Sequence, residues 1–226
     1  FGNSALQVQS ISLVLIPTVI INFLGIKFIA SRMGQKKALL FGTYGAIGTS
    51  VLMFCLMVWG DPSSFSFTNI SFFTIAFCLL WIFQKGFSGI SGNIVIPMTA
   101  DCADYETYRT GKYVPGLMGT LFSFVDKVIS SLASTIVALM FALVGYAQEV
   151  PTDKSPWTAG LFWVVVIAFT IVPIIGWLCN VVAMKFYPLT KEKMEEIQEK
   201  IAEIKAKNLA ENEAAAAAEA VEAELL

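Results

Sequence analysis

Lys127 stands in the middle of an apolar stretch, about thirteen residues from its start, and it has polar company. Thr120, Ser123, Lys127, Ser130, Ser131 and Ser134 recur at three- and four-residue steps, so an α-helix gathers them into one stripe. Asp126 lies about 100° around that helix and could compensate Lys127 or face a neighbouring helix. A lipid-facing stripe of this kind would be expensive, which predicts that it lines a water-filled cavity. A buried ion pair or a hydrogen-bonding seam between helices is the alternative. A second lysine, Lys85, follows Gln84 near the middle of the preceding apolar stretch, and Gly86, Ser88, Gly89, Ser91, Gly92 and Asn93 come next. Glycine every third residue, with Pro97 beyond, predicts a helix that bends or loosens there, although close helix packing uses the same residues. Gly42, Gly45 and Gly48 share the spacing without polar companions, and there packing is the preferred reading.

The connection between these stretches reads ADCADYETYRTGKYVP, from Ala100 to Pro115. Asp101, Asp104, Glu106, Arg109 and Lys112 fall within twelve residues. Carboxylates near a helix C-terminus oppose its dipole, so partner groups elsewhere must justify them. Ion pairs closing a gate would do so; a solvated loop that fixes topology is the alternative.

Elements long enough to position these groups follow from composition. The 226 residues are 56% hydrophobic and 14% charged, well below the quarter or so charged in soluble domains. Five apolar segments, about 9–30, 38–59, 70–99, 114–146 and 157–187, can each cross a hydrocarbon core of ~30 Å. Basic residues mark alternate connections: Arg32, Lys36 and Lys37, then Arg109 and Lys112, then Lys185, Lys191 and Lys193. The opposite connections offer only Lys154, so positive charge places the N-terminus outside and the C-terminus in the cytoplasm. An odd number of spans starting outside, with no signal peptide, predicts that helices precede Phe1. Residues 1–187 therefore form a transmembrane bundle, and 188–226 a charged, Ala/Glu-rich cytoplasmic tail with five lysines and ten glutamates. Met194, Ile197, Ile201 and Ile204 give the tail one apolar stripe. A solvated helix is the preferred reading of it, and docking on the inner face the other.

The absence of histidine removes imidazole as a base, proton shuttle or metal ligand. Cys55, Cys78, Cys102 and Cys179 are scattered without a C-x-x-C pair, so they predict buried small hydrophobes rather than a zinc site or disulfides. No Gly-x-Ser-x-Gly elbow or metal cluster assembles, so no enzyme is expected.

The run from Pro97 to Lys112 resembles the A-D-x-x-D-Y-x-x-x-x-x-G-K/R motif of the glycoside-pentoside-hexuronide:cation symporters, the melibiose permease-like branch of the major facilitator superfamily. Lys127, followed nineteen residues later by Tyr146 within Val144-Gly145-Tyr146, is similar to the family's helix XI lysine and its trailing G-Y. The resemblance implies an all-α membrane fold in which the five spans are helices VIII to XII of twelve. It implies alternating access, a coupling Na⁺ or H⁺ bound in an N-terminal half that this sequence lacks, and no other cofactor. Lys127 would face the central cavity, Asp101 and Asp104 the cytoplasmic gate. Two departures bear on substrate. Gly92 stands where a helix X tryptophan lies near the sugar in the family, and Lys85 has no family counterpart.

The expectation is the C-terminal part of a cation-coupled symporter for glycosides, pentosides or hexuronides in the plasma membrane. The substrate cavity would draw on Lys127, Asp126, Ser123, Ser130, Ser134, Lys85, Gln84 and Asn93, and the gate on Asp101, Asp104, Glu106, Arg109 and Lys112. A related carrier for another solute, such as a lysolipid, and a non-transporting five-span subunit are the rivals.

Overall fold

The computed structural model describes residues 15–67, 69–111, 115–147, 151–152, 155–156 and 158–203. Five helices in it are long and apolar enough to cross a membrane, and no strand occurs among the described residues. Helix α1, Ile16–Met33, opens with Pro17 in its first turn, where a missing N–H costs nothing, and carries a wide π turn at Ile26–Ala30. Gly34, at φ 81°, allows a one-residue reversal that a side chain would strain, and α2, Gln35–Trp59, follows at once. Helix α3, Phe72–Thr110, is capped by Ser71, whose Oγ accepts from the Thr74 N–H at 3.1 Å, and ends on Gly111 at φ 71°. Helix α4 covers Pro115–Leu143. Helix α5, Ala159–Phe186, is capped by Thr158 and has its own π turn at Ile167–Ile171. A short helix α6 covers 191–203.

The expected spans are all present, with shifted ends. The first 14 residues lie outside the description, so the start of the first span is not placed. Span three runs eleven residues past Thr99, because Asp101 to Thr110 continue the helix instead of forming a loop. Nor does α3 break at its glycines: it is one helix of 39 residues with Pro97 inside it. Packing explains two of the three. A Cβ on Gly86 would meet the Ile21 side chain at 2.8 Å, and one on Gly89 would collide with Asn22, so both let α1 lie close. Gly92 faces open space.

Helices α2 and α3 pack antiparallel along their length. A Cβ on Gly42 would sit 2.8 Å from the Phe87 carbonyl and the Ser91 amide; one on Gly45 would enter the Phe87 ring at 2.5 Å. Gly48 has nothing within 4 Å. The close approach brings the buried Thr43 and Ser91 hydroxyls to 2.9 Å, and Asn180 of α5 donates to Thr43 Oγ1 at 3.0 Å. This polar link ties three helices together inside apolar surroundings, where each unpaired group would carry a full desolvation cost. Two apolar clusters complete the core. Ala38, Leu39, Ile90, Ile94 and Met98 fill the end near Gly34, and Met53, Met57, Phe65, Phe73, Phe77 and Val166 fill the other.

Helix α4 is different. Every residue from Thr120 to Leu139 is exposed, on the polar and apolar faces alike. It touches the rest of the bundle mainly through its first turns and its last.

Candidate functional site

Counting ~100° per residue around α3 separates its faces cleanly. Gln84, Ile90, Ser91, Ile94 and Met98 are buried toward α1 and α2. Lys85 stands on the opposite side and is exposed. Lys85, Gly92, Ile96, Thr99 and Ala103 fall within about 60° of one another. On α4, Gly119, Ser123, Lys127, Ser130 and Ser134 occupy a sector of about 80°. The two faces meet. A cavity of about 300 Å³ is lined by Ile96, Thr99, Ala100 and Ala103 of α3 and by Gly119, Phe122 and Ser123 of α4. Lys127 on α4 and Asn93 and Lys85 on α3 lie outside that cavity, and all three are exposed.

Lys127, Asp126 and Lys85 form no ion pair with any described residue. Thr120, Ser134 and Thr135 hydroxyls donate back to the carbonyls of Gly116, Ser130 and Ser131 at 2.8–3.1 Å, leaving their lone pairs outward. Pro97 has no N–H to offer the Asn93 carbonyl, so that acceptor is spare as well. One expected member is misplaced. Gln84, expected beside Lys85 in the cavity, is only 5% exposed and packs in the core with Oε1 unpartnered. Adjacent residues on a helix point about 100° apart, and here that angle crosses from the exposed face to the interior.

The expected gate residues gather at the end of the bundle near Gly34, but not as pairs between distant charges. Glu106 bridges Arg109 at 3.1 Å within α3. Asp104 accepts from Gln198 Nε2 of α6 at 2.6 Å. Asp101 and Gln35 both border a cavity of about 300 Å³ between α1, α2 and α6. Lys112 lies outside the described residues. The partner that reaches Asp104 from another helix is an amide rather than a cation, and no spacing rule announced Gln198. Helix α6 docks here: Leu189, Ile197 and Ile201 are buried against Cys102, Tyr105, Tyr108, Tyr187 and Met194. The preferred reading of a solvated tail is thus overturned for 191–203, because its apolar stripe finds an aromatic surface on the extended end of α3. Lys200 and Lys193 lie 5.1 and 5.8 Å from the Tyr108 ring centre. Burial, with the Cys102 and Asp101 charges, pushes the Tyr187 phenol above its ordinary range. The four cysteines are free, three of them half-buried and Cys179 exposed, so none is the fully buried hydrophobe expected.

Residues 1–191 match the model of a family described as MFS/sugar transport protein. Among curated proteins, the chain is 29% identical over 168 residues to the "Glucuronide carrier protein homolog" of Escherichia coli (strain K12), covering 74% of this chain and 33% of that protein. It is 25% identical over 184 residues to the "Isoprimeverose transporter" of Lactiplantibacillus pentosus, covering 81% of this chain and 34% of that one. The chain thus spans about a third of the length of the curated relatives it matches. No solved structure matches it. The relatives are transporters and not enzymes. A family match over 1–191, together with five apolar helices, places this chain as a multi-pass membrane protein of the MFS/sugar transport protein family.

Proposed function

We propose that this chain supplies helices VIII to XII of a cation-coupled sugar symporter and completes its substrate site together with an N-terminal bundle. The observation that carries the reading is α4. It is an apolar helix with a lysine and a row of hydroxyls on one face, and among the described residues no ion pair compensates the lysine and that face stays exposed. Such a stripe suits a surface facing water and solute between two bundles. In this reading the relatives' substrates, a glucuronide and isoprimeverose, indicate a glycoside-sized solute. The bundles rock about it in alternating access, driven by Na⁺ or H⁺ bound to the other half. The connections rich in arginine and lysine lie in the cytoplasm, with the chain in the plasma membrane. Lys127 supplies charge and hydrogen bonds to the site, flanked by Ser123, Ser130 and Ser134. Asp101, Asp104, Glu106 and Arg109 belong to the cytoplasmic closure.

In the complete carrier, Lys127→Ala should lower cation-driven sugar uptake about 10–100-fold, the worth of a hydrogen bond to a charged group. Membrane insertion, measured by surface labelling, should be unchanged. Normal uptake in that variant would remove Lys127 from the site.

A further inference from the structure

We infer that the end of the bundle near Gly34 holds an anionic phospholipid, with its phosphate in a basic cavity between the α1–α2 turn and the start of α6. The cavity measures about 200 Å³, with Met33, Lys36 and Lys37 on one side and Thr190, Lys191 and Glu192 on the other. Three lysines against one glutamate leave a surplus of positive charge. Among the described residues no ion pair neutralises Lys36, Lys37 or Lys191. Two of them are steered by neutral acceptors instead. Lys36 Nζ donates to the Tyr187 carbonyl, and Lys191 Nζ donates to that of Ser31 at 3.5 Å. An ammonium group has three N–H donors, so each of these lysines keeps donors for a ligand and its whole charge. Gly34 permits the arrangement: a Cβ there would sit 2.9 Å from Lys191 Cβ, so glycine lets α6 begin this close to the turn.

What continues beyond the lysines decides between a lipid and a dissolved anion. Lys37, Phe41, Tyr44, Gly48, Val51 and Leu52 fall within a sector of about 100° on α2. All six are exposed, and past Lys37 the face is apolar except for the Tyr44 hydroxyl. Lys37 lies in the first turn of a helix of 25 residues that is long and apolar enough to span, so it stands at the membrane boundary. Cationic groups at the boundary with exposed hydrocarbon along the same helix face match a phospholipid, headgroup on the lysines and an acyl chain over Phe41, Val51 and Leu52. Met33, 48% exposed, adds an apolar wall beside the lysines that a dissolved phosphate would not use. The volume is below the roughly 300–1,000 Å³ of sites for drug-sized ligands and suits a phosphodiester. In the orientation proposed above, this end meets the cytoplasmic leaflet, whose anionic lipids attract basic segments next to the membrane. Because 190–192 supply one side of the cavity, the site is complete only with α6 docked, and by linkage the bound lipid holds α6 in place.

The test pairs native mass spectrometry of the full-length protein, offered equal phosphatidylglycerol and phosphatidylcholine, with amide exchange of 191–203 in nanodiscs of phosphatidylcholine with or without phosphatidylglycerol. Wild-type protein should retain one phosphatidylglycerol about 10-fold or more in preference to phosphatidylcholine, and phosphatidylglycerol should slow exchange in α6 about 10-fold. Lys37→Gln should cut the preference about fivefold, the worth of one lysine near an anionic surface, with Lys37→Arg keeping it. Lys37 makes no hydrogen bond or ion pair among the described residues, so exchange in pure phosphatidylcholine should match wild type in both variants. The combined Lys36→Gln, Lys37→Gln and Lys191→Gln variant should show no preference, whereas Arg109→Gln, at the same end but outside the cavity, should keep it. An unchanged preference in the combined variant would overturn the site. Equal losses in Lys37→Gln and Arg109→Gln would overturn it in favour of general attraction to a charged surface. Inorganic phosphate slowing α6 exchange in phosphatidylcholine nanodiscs as much as phosphatidylglycerol does would overturn the lipid in favour of a dissolved anion.

Discussion

Toward Thr110, α3 gives two of its acidic groups a partner: Glu106 bridges Arg109 and Asp104 accepts from Gln198. A separate helix lies across the result and buries Ile197 and Ile201 against its tyrosines. One to two turns before that region Ile96 and Thr99 of the same helix line a cavity with α4, and further back the exposed Lys85 has no ion pair with any described residue. The first arrangement is what a chain does to hold two of its own elements together. The second leaves its charge without an ion pair among the described residues. Charge alone does not separate structural from functional residues here; whether the fold itself satisfies the charge does.

The sharpest way to break that contrast is to make the docked end behave like the unpaired stretch. Ile197 is fully buried, and Ile197→Asp would put an unpaired carboxylate against Leu189 and Ile201. At about 3 kcal/mol or more for such a group, α6 should detach. Amide hydrogen exchange within 191–203 would then accelerate about 100-fold. KM for sugar should stay within about twofold of wild type, since α6 contributes nothing to the α3–α4 cavity. Uptake lost as completely as in Lys127→Ala would mean that the two regions are one functional unit, and the contrast would collapse.

How much of this was legible from residues alone differs between the same two regions. The five spans, the Lys127 stripe and the Gly42 and Gly45 contacts follow from period and composition, because one helix face must be apolar or small to pack in lipid. Gln84 was misassigned because sequence proximity to Lys85 ignores a 100° turn. Only the partner helices, α1 and α2, reveal which side is the interior. The continuity of α3 was missed for a related reason. Glycines and Pro97 weaken an isolated helix, but Ile21 and Asn22 packed onto Gly86 and Gly89 restore what they lose. Thr43, Ser91 and Asn180 lie 48 and 137 residues from one another's bonded partners, and nothing in their spacing predicts a three-helix link. The tail carried a visible stripe, yet its receiving surface of Cys102, Tyr105 and Tyr108 looked like part of a loop.

A smaller effect sharpens the role of Asp104. Gln198→Leu removes the 2.6 Å hydrogen bond from its amide while keeping the side chain's bulk. At a partly solvated site this bond contributes about 1 kcal/mol, so exchange in α6 should rise about fivefold, with no change in uptake. A loss of uptake with α6 still protected would instead assign Asp104 a role in transport, moving it from the paired region to the functional one.

The smallest expected effect concerns acid. Glu196 sits between Lys193 at 2.8 Å and Lys200 at 3.4 Å, and the hydrogen bond and charge of Lys193, then those of Lys200, hold its carboxyl below the ordinary glutamate range. A depressed pKa means that the folded state binds its proton less readily than the unfolded chain does. The contribution to docking is therefore present above the unfolded value of about 4.3 and is lost as pH falls through the lowered one. Protection of α6, corrected for intrinsic exchange, should be flat from pH 8 to 6 and decline only below about pH 4. Glu196→Gln should remove part of that decline and leave the neutral-pH value nearly unchanged, because exposed pairs add little. A decline already present between pH 7 and 5 and untouched by Glu196→Gln would show that Glu196 does not set the acid sensitivity of this end.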